Sequence, residues 1–340
     1  MDMFFTDWEG PWVTTDFAYE ITRKVLNNHT FFRRLSQYDD YLSYIVKKKD
    51  YEPGDTLKLL APFIIASEVS SQKLRDISRD LTDFVPHSRQ ALDCIDSRPV
   101  VISTSYQQFL EVSAGALGIN EHLHGTELRL DDYQVDKEDK EMIKRAVNEI
   151  ASLPEIEVHV GMTKEDLHEA SEQAVDWLDD FFWKKMSQTA FKPVLEEVKA
   201  MGGKRKKLVV EGYMDELECS EVVAIGDSIS DYAMLDFVRC NGVAVSFNGN
   251  EYALSHSNIA VISDTAFGEA AIIDAFSKKG KDGVIDLVKK GRTEILNSQI
   301  ADNLSSTRFY WLNDDVDLRA VIKESENMRK RLRGGAGDLG

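Results

Sequence analysis

The chain has 340 residues, of which 43% are apolar and 29% charged, so it is long enough for roughly two globular domains with a sizeable core. The formal net charge of -18 disfavours binding to nucleic acid or to an anionic membrane surface, because these ligands carry the same sign. A small phosphorylated substrate is compatible with this charge if a metal ion and a lysine reverse the sign locally.

Cysteine usage and hydropathy indicate the compartment. The chain has 3 cysteines and no CxxC pair, which argues against a disulfide framework or a zinc site and favours a reducing environment. The N-terminal apolar stretch is too short for a signal peptide, and the longest apolar run is interrupted by Lys58 and Pro62. We therefore expect a cytoplasmic protein without membrane insertion.

The first predicted strand, residues 3–5, is followed by two carboxylates, Asp7 and Glu9, and then by a Gly-Pro turn. Side chains at i and i+2 of an extended chain point to the same face, so both acids can reach one site at the carboxyl end of the strand. Open parallel sheets bind ligands at that edge. Because two neighbouring acids repel each other, the pair predicts a bound cation or a shared proton, although an isolated D-x-E is more often a solvated turn.

Residues 14–98 carry apolar side chains at helical spacing, which predicts an all-helical insertion after the first strand. A second strand, 100–102, is expected to end in the hydroxyl residues Ser103 and Thr104 before another helix begins. Hydroxyl and amide groups at a helix start suit an anion, although a simple helix cap without a ligand is commoner.

The middle of the chain offers two further candidates. His122 and His124 can share one face of a strand, but two histidines alone do not define a metal site. Helical patterns at 136–150 and 163–186 indicate a helical insertion over about 126–200. Residues 202–207 form a basic run that opens a helix, and because cations are disfavoured at a helix N-terminus, we expect a compensating anion there.

A third buried strand, 222–225, leads into the sequence GDSISD, which again puts carboxylates, Asp227 and Asp231, at a strand end. Further strands at 242–247 and 259–262 continue an alternation of strands and helices that is typical of a doubly wound parallel sheet of the α/β class. After residue 276 we expect extra C-terminal helices, with the basic run 329–333 solvated and 334–340 disordered.

Four motifs follow one another along the chain: D-x-E, a strand that ends in Ser103, a lysine that begins a helix, and G-D-S-x-x-D. Their order resembles that of the motifs in the haloacid dehalogenase (HAD) superfamily of Mg-dependent phosphohydrolases. The likeness is greatest to the phosphoserine phosphatase-like branch and covers about 1–15, 98–125 and 200–275. It implies a HAD-like, Rossmann-like core of 1–15 and 98–275, a helical cap of 16–97, and appended helices with a flexible tail over 276–340. The chain is also similar to an uncharacterised archaeal group of HAD-like proteins.

The resemblance implies a phosphoric monoester hydrolase, a phosphatase that acts through an aspartyl-phosphate. Asp7 would be the nucleophile, and Glu9 the general acid and then the base. Ser103, with Thr104 beside it, would bind the phosphoryl group. Lys204, 23 residues before Asp227, is selected by its spacing to neutralise charge, although Lys206 and Lys207 stay open as alternatives.

The same resemblance implies Mg²⁺ as the cofactor, held by Asp7, the backbone carbonyl of Glu9, Asp227 and Asp231, and a small phosphorylated metabolite as the substrate. Asp16 stands where phosphoserine phosphatases have the acid that meets the substrate ammonium, which hints at an amine-bearing substrate.

The chain departs from the family pattern at Glu9, which replaces the usual aspartate, and at Pro11, which removes a backbone donor. Pro11 and the added helical segments motivate a second hypothesis. The alternative is a non-catalytic HAD-fold protein, or an accessory subunit of a larger complex. Its extra helices would then form a homodimer contact or bind a protein partner.

Overall fold

The structure is a computed structural model that describes residues 3–159, 162–313 and 315–338. These residues fold as an α/β protein around one seven-stranded, mostly parallel sheet. The strands are β1 Met3–Thr6, β2 Arg98–Tyr106, β3 Leu123–Thr126, β4 Val222–Gly226, β5 Gly242–Phe247, β6 Ile259–Ile262 and β7 Arg308–Trp311.

The strand order is β3-β2-β1-β4-β5-β6-β7, and every neighbouring pair is parallel except β6 with β7. The chain adds β2 and β3 on one side of β1, and β4, β5 and β6 on the other. The direction of winding therefore reverses between β1 and β4, and a crevice at such a switch point is where open α/β sheets bind ligands.

Alternating apolar side chains bury both faces of the central strands, as parallel sheets require. Phe4 and Val223 face a large core shared with many helices, whereas Phe5 and Ala224 face a smaller core on the other side. The sheet can therefore expose functional side chains only at its edges, beyond the ends of the strands.

Between β1 and β2 the chain is helical, as the apolar spacing predicts. The helices there are α1 Phe17–Leu26, α2 His29–Asp40, α3 Thr56–Ala66, α4 Ser71–Leu81 and α5 Ser88–Asp93, with a π-helical turn at Tyr41–Ile45. This segment packs on the helix that follows β2, since the ring of Phe17 stacks on that of Phe109 with centroids 4.4 Å apart.

The remaining helices connect the strands and form the insertion between β3 and β4. They are α6 Gln107–Ala116, α7 Lys137–Ser152, α8 Glu169–Asp180, α9 Lys192–Glu197, α10 Lys204–Glu216, α11 Tyr232–Asn241, α12 Glu251–Ser255, α13 Phe267–Lys290, α14 Ser298–Asp302 and α15 Leu318–Arg333. No helix in the described ranges is both long and apolar enough to cross a bilayer.

Three sequence-based predictions about the elements are wrong. The C-terminal end that was expected to be disordered forms a 3-10 helix over Gly334–Asp338. Strand β2 does not end at 102 but continues to Tyr106, with a register irregularity against β3 beyond Ile102. The segment after 276 is not purely helical, because β7 pairs antiparallel with β6 and extends the sheet. Strand β7 was missed because it lies at the edge of the sheet and is only partly buried, so its sequence RFYW lacks the apolar aliphatic run that identifies β6.

Candidate active site

The first site element is the turn after β1. The backbone amide of Asp7 still bonds to Ile225 of β4 (2.8 Å), so the turn begins as an extension of the sheet. The indole of Trp8 is fully buried and donates to Ser113 Oγ at 2.8 Å. Because Trp8 points into the core, its neighbours Asp7 and Glu9 point to the opposite side. The same-face prediction is confirmed, since both acids line one cavity.

Gly10 lets two site elements approach each other closely. Its φ is +109°, and a Cβ there would lie 2.1 Å from Oδ2 of Asp227. Any other residue would therefore be strained and would displace the carboxylate. The glycine of the D-x-E-G sequence thus allows the turn after β1 to lie against the turn after β4.

The second element is the turn after β4, where Asp231 organises the loop. Its Oδ2 accepts hydrogen bonds from the amides of Asp227 (3.0 Å) and Ser228 (3.1 Å). Its Oδ1 accepts from Lys206 Nζ at 2.7 Å, and the same ammonium lies 3.0 Å from Oδ1 of Asp7. Lys206 and Asp231 are fully buried, so these ion pairs are screened little by solvent.

The selection of Lys204 by its spacing is wrong. The Lys204 side chain is 70% exposed and pairs with Glu52, whereas Lys206 enters the site. Burial alone would lower the pKa of Lys206, but the charges of Asp231 and Asp7 outweigh burial and raise it above its ordinary value. The anion expected at this helix start is present as protein carboxylates.

Three carboxylates meet the requirements of a hard cation. Asp7, Asp227 and Asp231 each offer one oxygen, and these oxygens lie within 4.8 Å of one another. No other group of three or more His, Cys, Asp or Glu residues has this spacing in the part of the chain that the structure describes. Carboxylate oxygens are the donors that Mg²⁺ prefers, so the residues fit such an ion.

The two acids of the β1 turn differ in their partners. Burial, and then the charge of Asp231, raise the pKa of Asp7 to about 7. Burial, and then the charge of Asp16, raise the pKa of Glu9 to about 8, although its carboxylate accepts the Phe17 amide at 2.8 Å. Glu9 is therefore the acid that keeps its proton to the higher pH.

The hydroxyl residues of β2 occupy different positions. Ser103 is fully buried, and its Oγ accepts from the Ser105 amide at 3.2 Å. Thr104 lines the cavity, but its hydroxyl donates to the Met201 carbonyl at 3.1 Å. Ser105, which the sequence analysis does not select, lines the same cavity, and its Oγ has no partner among the described residues. The i, i+2 spacing from Ser103 was the signal that could have identified it.

The cavity between these turns has a volume of about 120 Å³, and helix α2 closes one side. Asp39 accepts from the Tyr51 hydroxyl at 2.7 Å, and burial raises its pKa to about 7. Burial, and then the charge of Asp39, raise the pKa of Asp40 well above its ordinary value. Six acidic side chains line the cavity: Asp7, Glu9, Asp16, Asp39, Asp40 and Asp227.

The interpretation of the basic run 329–333 as a solvated tail is wrong. Arg329 and Arg333 of α15 line the cavity, and their side chains are only 4% and 6% exposed. Both guanidinium groups bind Oδ2 of Asp227, in the case of Arg333 at 2.9 Å. Burial lowers the pKa of Arg329, whereas for Arg333 the charges of Asp227 and Asp16 outweigh burial and raise its pKa.

Asp16 is at the cavity, as predicted, but its carboxylate is already engaged. One oxygen caps helix α1 by accepting the Tyr19 amide at 3.0 Å, and the other lies 3.6 Å from Arg333. The geometry therefore gives no support to a role in binding a substrate ammonium.

Two further observations concern residues near the site. The rings of His122 and His124 both bond to the Tyr213 hydroxyl, at 2.9 and 3.0 Å, which accounts for the pair without a metal. Glu269 was missed by the sequence analysis. It is fully buried on α13, and burial, and then the charge of Asp227, raise its pKa well above its ordinary value.

Comparison with known proteins finds a solved structure that is similar over the whole chain. No protein-family model matches the chain, and no curated protein matches it. A solved structure described as that of gene product AF1437 from Archaeoglobus fulgidus is similar, with 38% sequence identity and a TM-score of 0.85. The similarity covers 100% of this chain and 99% of that one, and thus includes the C-terminal helix. The chain therefore belongs to the same protein family as the gene product AF1437 of Archaeoglobus fulgidus.

Proposed function

We propose that this protein is a Mg²⁺-dependent phosphatase or phosphotransferase of the HAD type that acts on a small phosphomonoester. The observation that carries the proposal is the convergence of Asp7, Asp227 and Asp231, whose oxygens lie within 4.8 Å of one another. The buried ammonium of Lys206 pairs with two of them, Asp7 and Asp231. Phosphoryl transfer depends chiefly on positioning and charge neutralisation, and this cluster offers both.

In the proposed mechanism, Asp7 attacks the phosphorus atom and forms an aspartyl-phosphate while the bond to the leaving oxygen breaks. Glu9 gives its proton to that oxygen. It then accepts a proton from the water, or from the acceptor alcohol, that attacks the phosphorus atom of the aspartyl-phosphate, while the bond from phosphorus to the Asp7 oxygen breaks and Asp7 is released as a carboxylate. A pKa of about 8 for Glu9 suits this role, because the group is protonated at neutral pH.

The remaining groups would position the substrate and neutralise the negative charge of the carboxylates and the phosphoryl group. Lys206 fixes the orientation of Asp7 and offsets its charge. Asp7, Asp227, Asp231 and the backbone carbonyl of Glu9 would hold Mg²⁺, which when bound neutralises the carboxylates and the phosphoryl oxygens. Ser103 and Thr104 stay candidates for binding the phosphoryl group, and residues 16–97 would act as the cap that excludes water.

The proposal is tested by measuring phosphate release from p-nitrophenyl phosphate and a panel of phosphometabolites with Mg²⁺. The Asp7→Asn variant should lose activity by about a thousandfold or more, because the amide is not a nucleophile. Asp80→Asn is the matched control, since Asp80 is 68% exposed and is not one of the residues that line the cavity. Equal turnover by Asp7→Asn and the wild type would remove the proposal.

One observation favours the second candidate, a non-catalytic interaction protein or accessory subunit of a larger complex. Two arginines bind the Asp227 carboxylate and are almost completely buried, so the cluster is already largely neutralised by the protein itself. Co-purification of a stoichiometric partner, together with no phosphate release from the whole panel, would support this candidate over the enzyme.

A further inference from the structure

Helix α15 has one buried face, and that face ends at the site. Its members recur every four residues, which puts them on one side of a helix. Val321 packs in an apolar cluster with Leu254 and Ile262, and Ser325 Oγ donates to the Gly249 carbonyl at 2.6 Å. The next two positions on this face, Arg329 and Arg333, are in the cavity. The apolar start of the helix therefore anchors an element whose last turn delivers two guanidinium groups.

The charge of the cavity indicates a role for these arginines in ligand binding. Six acidic side chains line it, and among the described lining residues the cationic ones are Arg329 and Arg333. Lys206 is not a lining residue, because it is fully buried behind Asp7. Each of these carboxyl groups that is ionised repels an anion, so binding of an anion here needs the guanidinium groups in addition to any metal ion.

Arg333 has hydrogen-bonding capacity left over. Its Nη1 binds Asp227 at 2.9 Å and its Nη2 lies 3.6 Å from Asp16, but its buried Nε has no partner among the described residues. Ser105 Oγ, on the same cavity, is likewise buried without a partner in the described part of the chain. Unpaired buried donors are costly and rare, so two of them on one cavity point to an acceptor-rich ligand.

We propose that Arg333 and Ser105 form an oxyanion site that binds the tetrahedral phosphoryl group of the substrate. The assignment rests on the proposed function only in naming the phosphoryl group as the oxyanion. Guanidinium suits this role because its charge strengthens a hydrogen bond to a phosphate oxygen, and the unpaired Nε is the donor that Asp227 and Asp16 leave available. The unit formed by β7 and α15 is then part of the active site rather than an appendage.

The test is calorimetric titration of inorganic phosphate, and of orthovanadate, into the full chain in the presence of Mg²⁺. Arg333→Ala should weaken binding by about tenfold or more, because a charge-assisted hydrogen bond is lost. The phosphate affinity of Arg333→Lys should lie between those of the wild type and Arg333→Ala, since lysine keeps the charge but not the planar guanidinium. Ser105→Ala should also weaken binding, by a smaller factor.

Arg331→Ala is the matched control, because Arg331 lies on the same helix with its side chain 68% exposed, and it should bind phosphate as the wild type does. Thermal unfolding of each variant identifies any that fails to fold. If Arg333→Ala fails to fold, the phosphate affinity of Arg333→Lys replaces it as the test. Phosphate binding by Arg333→Ala that equals or exceeds that of the wild type would overturn the inference and mean that the arginine only plugs the cavity.

The outcomes also separate this inference from the proposed function. Phosphate binding that depends on Arg333, combined with undiminished turnover in Asp7→Asn, would keep the oxyanion site and remove the mechanism. Failure of the wild type to bind phosphate or vanadate at all would overturn the oxyanion site directly.

Discussion

Lys204 and Lys206 stand two residues apart in the first turn of α10 and have opposite environments. Positions i and i+2 of a helix differ by about 200° around its axis, so one of the two side chains faces the core and the other faces solvent. Lys204 pairs with Glu52 at the surface, whereas Lys206 lies between Asp7 and Asp231. A spacing argument along the chain cannot distinguish these two positions, because it ignores the rotation of the helix.

This contrast gives a paired prediction. Lys206→Met should lower phosphate release by about a hundredfold or more. Without added metal it should lower the free energy of unfolding by about 3 kcal/mol, since buried carboxylates lose their counter-charge. Lys204→Met should change the free energy of unfolding by less than about 0.5 kcal/mol and leave the activity nearly unchanged. Phosphate release and urea unfolding measure both effects, and equal losses in the two variants would contradict the assignment of Lys206.

Glu9 supports a prediction about leaving groups and pH. Its pKa of about 8 means that a protonated Glu9 is lost as the pH rises through that value. Turnover of an alkyl phosphate by the wild type should therefore fall above about pH 8. The Glu9→Gln variant should turn over the same substrate about a hundredfold more slowly at pH 7, because an amide is a poor general acid.

Release of p-nitrophenolate needs little protonation, so Glu9→Gln should affect p-nitrophenyl phosphate much less than the alkyl phosphate. Rates for the two substrates from pH 5 to 9 test the role, with Asp80→Asn as the control. Equal losses on the two substrates would be incompatible with Glu9 as the general acid.

At the scale of elements, the turn after β1 and the helix α15 reach the same carboxylate from opposite ends of the chain. Gly10 approaches Asp227 from one side, and Arg329 and Arg333 bind its Oδ2. The turn is fixed by the positive φ of Gly10, which is short-range geometry, and by the buried Trp8, whose indole bonds to Ser113. The position of α15 is instead fixed by tertiary packing of Val321 and by the bond from Ser325 to Gly249.

The anchoring of α15 can be tested at Val321. Val321→Asp puts a charge into the apolar cluster with Leu254 and Ile262, so the helix should dock less tightly and its amides should exchange faster with deuterium over 318–333. Asn327→Asp, at an exposed position of the same helix, serves as the control and should exchange as the wild type does. Protection that is unchanged in Val321→Asp would mean that other contacts hold the helix.

At the scale of the whole molecule, the sheet topology selects the place of the site. The winding direction reverses between β1 and β4, and the turns that follow these two strands carry Asp7, Asp227 and Asp231. The topology therefore gathers carboxylates at the crevice, where Lys206, Arg329 and Arg333 offset their charge. A divalent cation that binds the folded state but not the unfolded chain should stabilise the entire fold.

We predict that Mg²⁺ raises the midpoint of thermal unfolding. At a concentration about 100 times the Kd, the added stability should be about 2.7 kcal/mol, because the unfolded chain lacks the site. Asp231→Asn should abolish most of this increment. Sodium chloride at equal ionic strength is the control, since salt also screens the self-repulsion of a chain with net charge -18. An equal rise with sodium chloride would argue against a specific ion site.

The sequence by itself determined the features that depend on local spacing. The i, i+2 carboxylates after β1, the acids after β4, the helical segment 14–98 and the α/β class all follow from periodicity and from the residues that end each strand. These features are local because side-chain direction repeats every two residues in a strand and every 3.6 in a helix.

Only the tertiary structure decided which side chains complete the cluster. The position of Lys206 in the site depends on the rotation of α10 about its axis. The Ser105 hydroxyl is at the cavity because of the irregular end of β2. Arg333 binds Asp227 although more than 100 residues of chain separate them. Such contacts are set by packing between elements that are far apart in sequence, and no local pattern encodes them. A basic run near a chain end therefore has the same pattern whether it is solvated or, as here, buried against carboxylates.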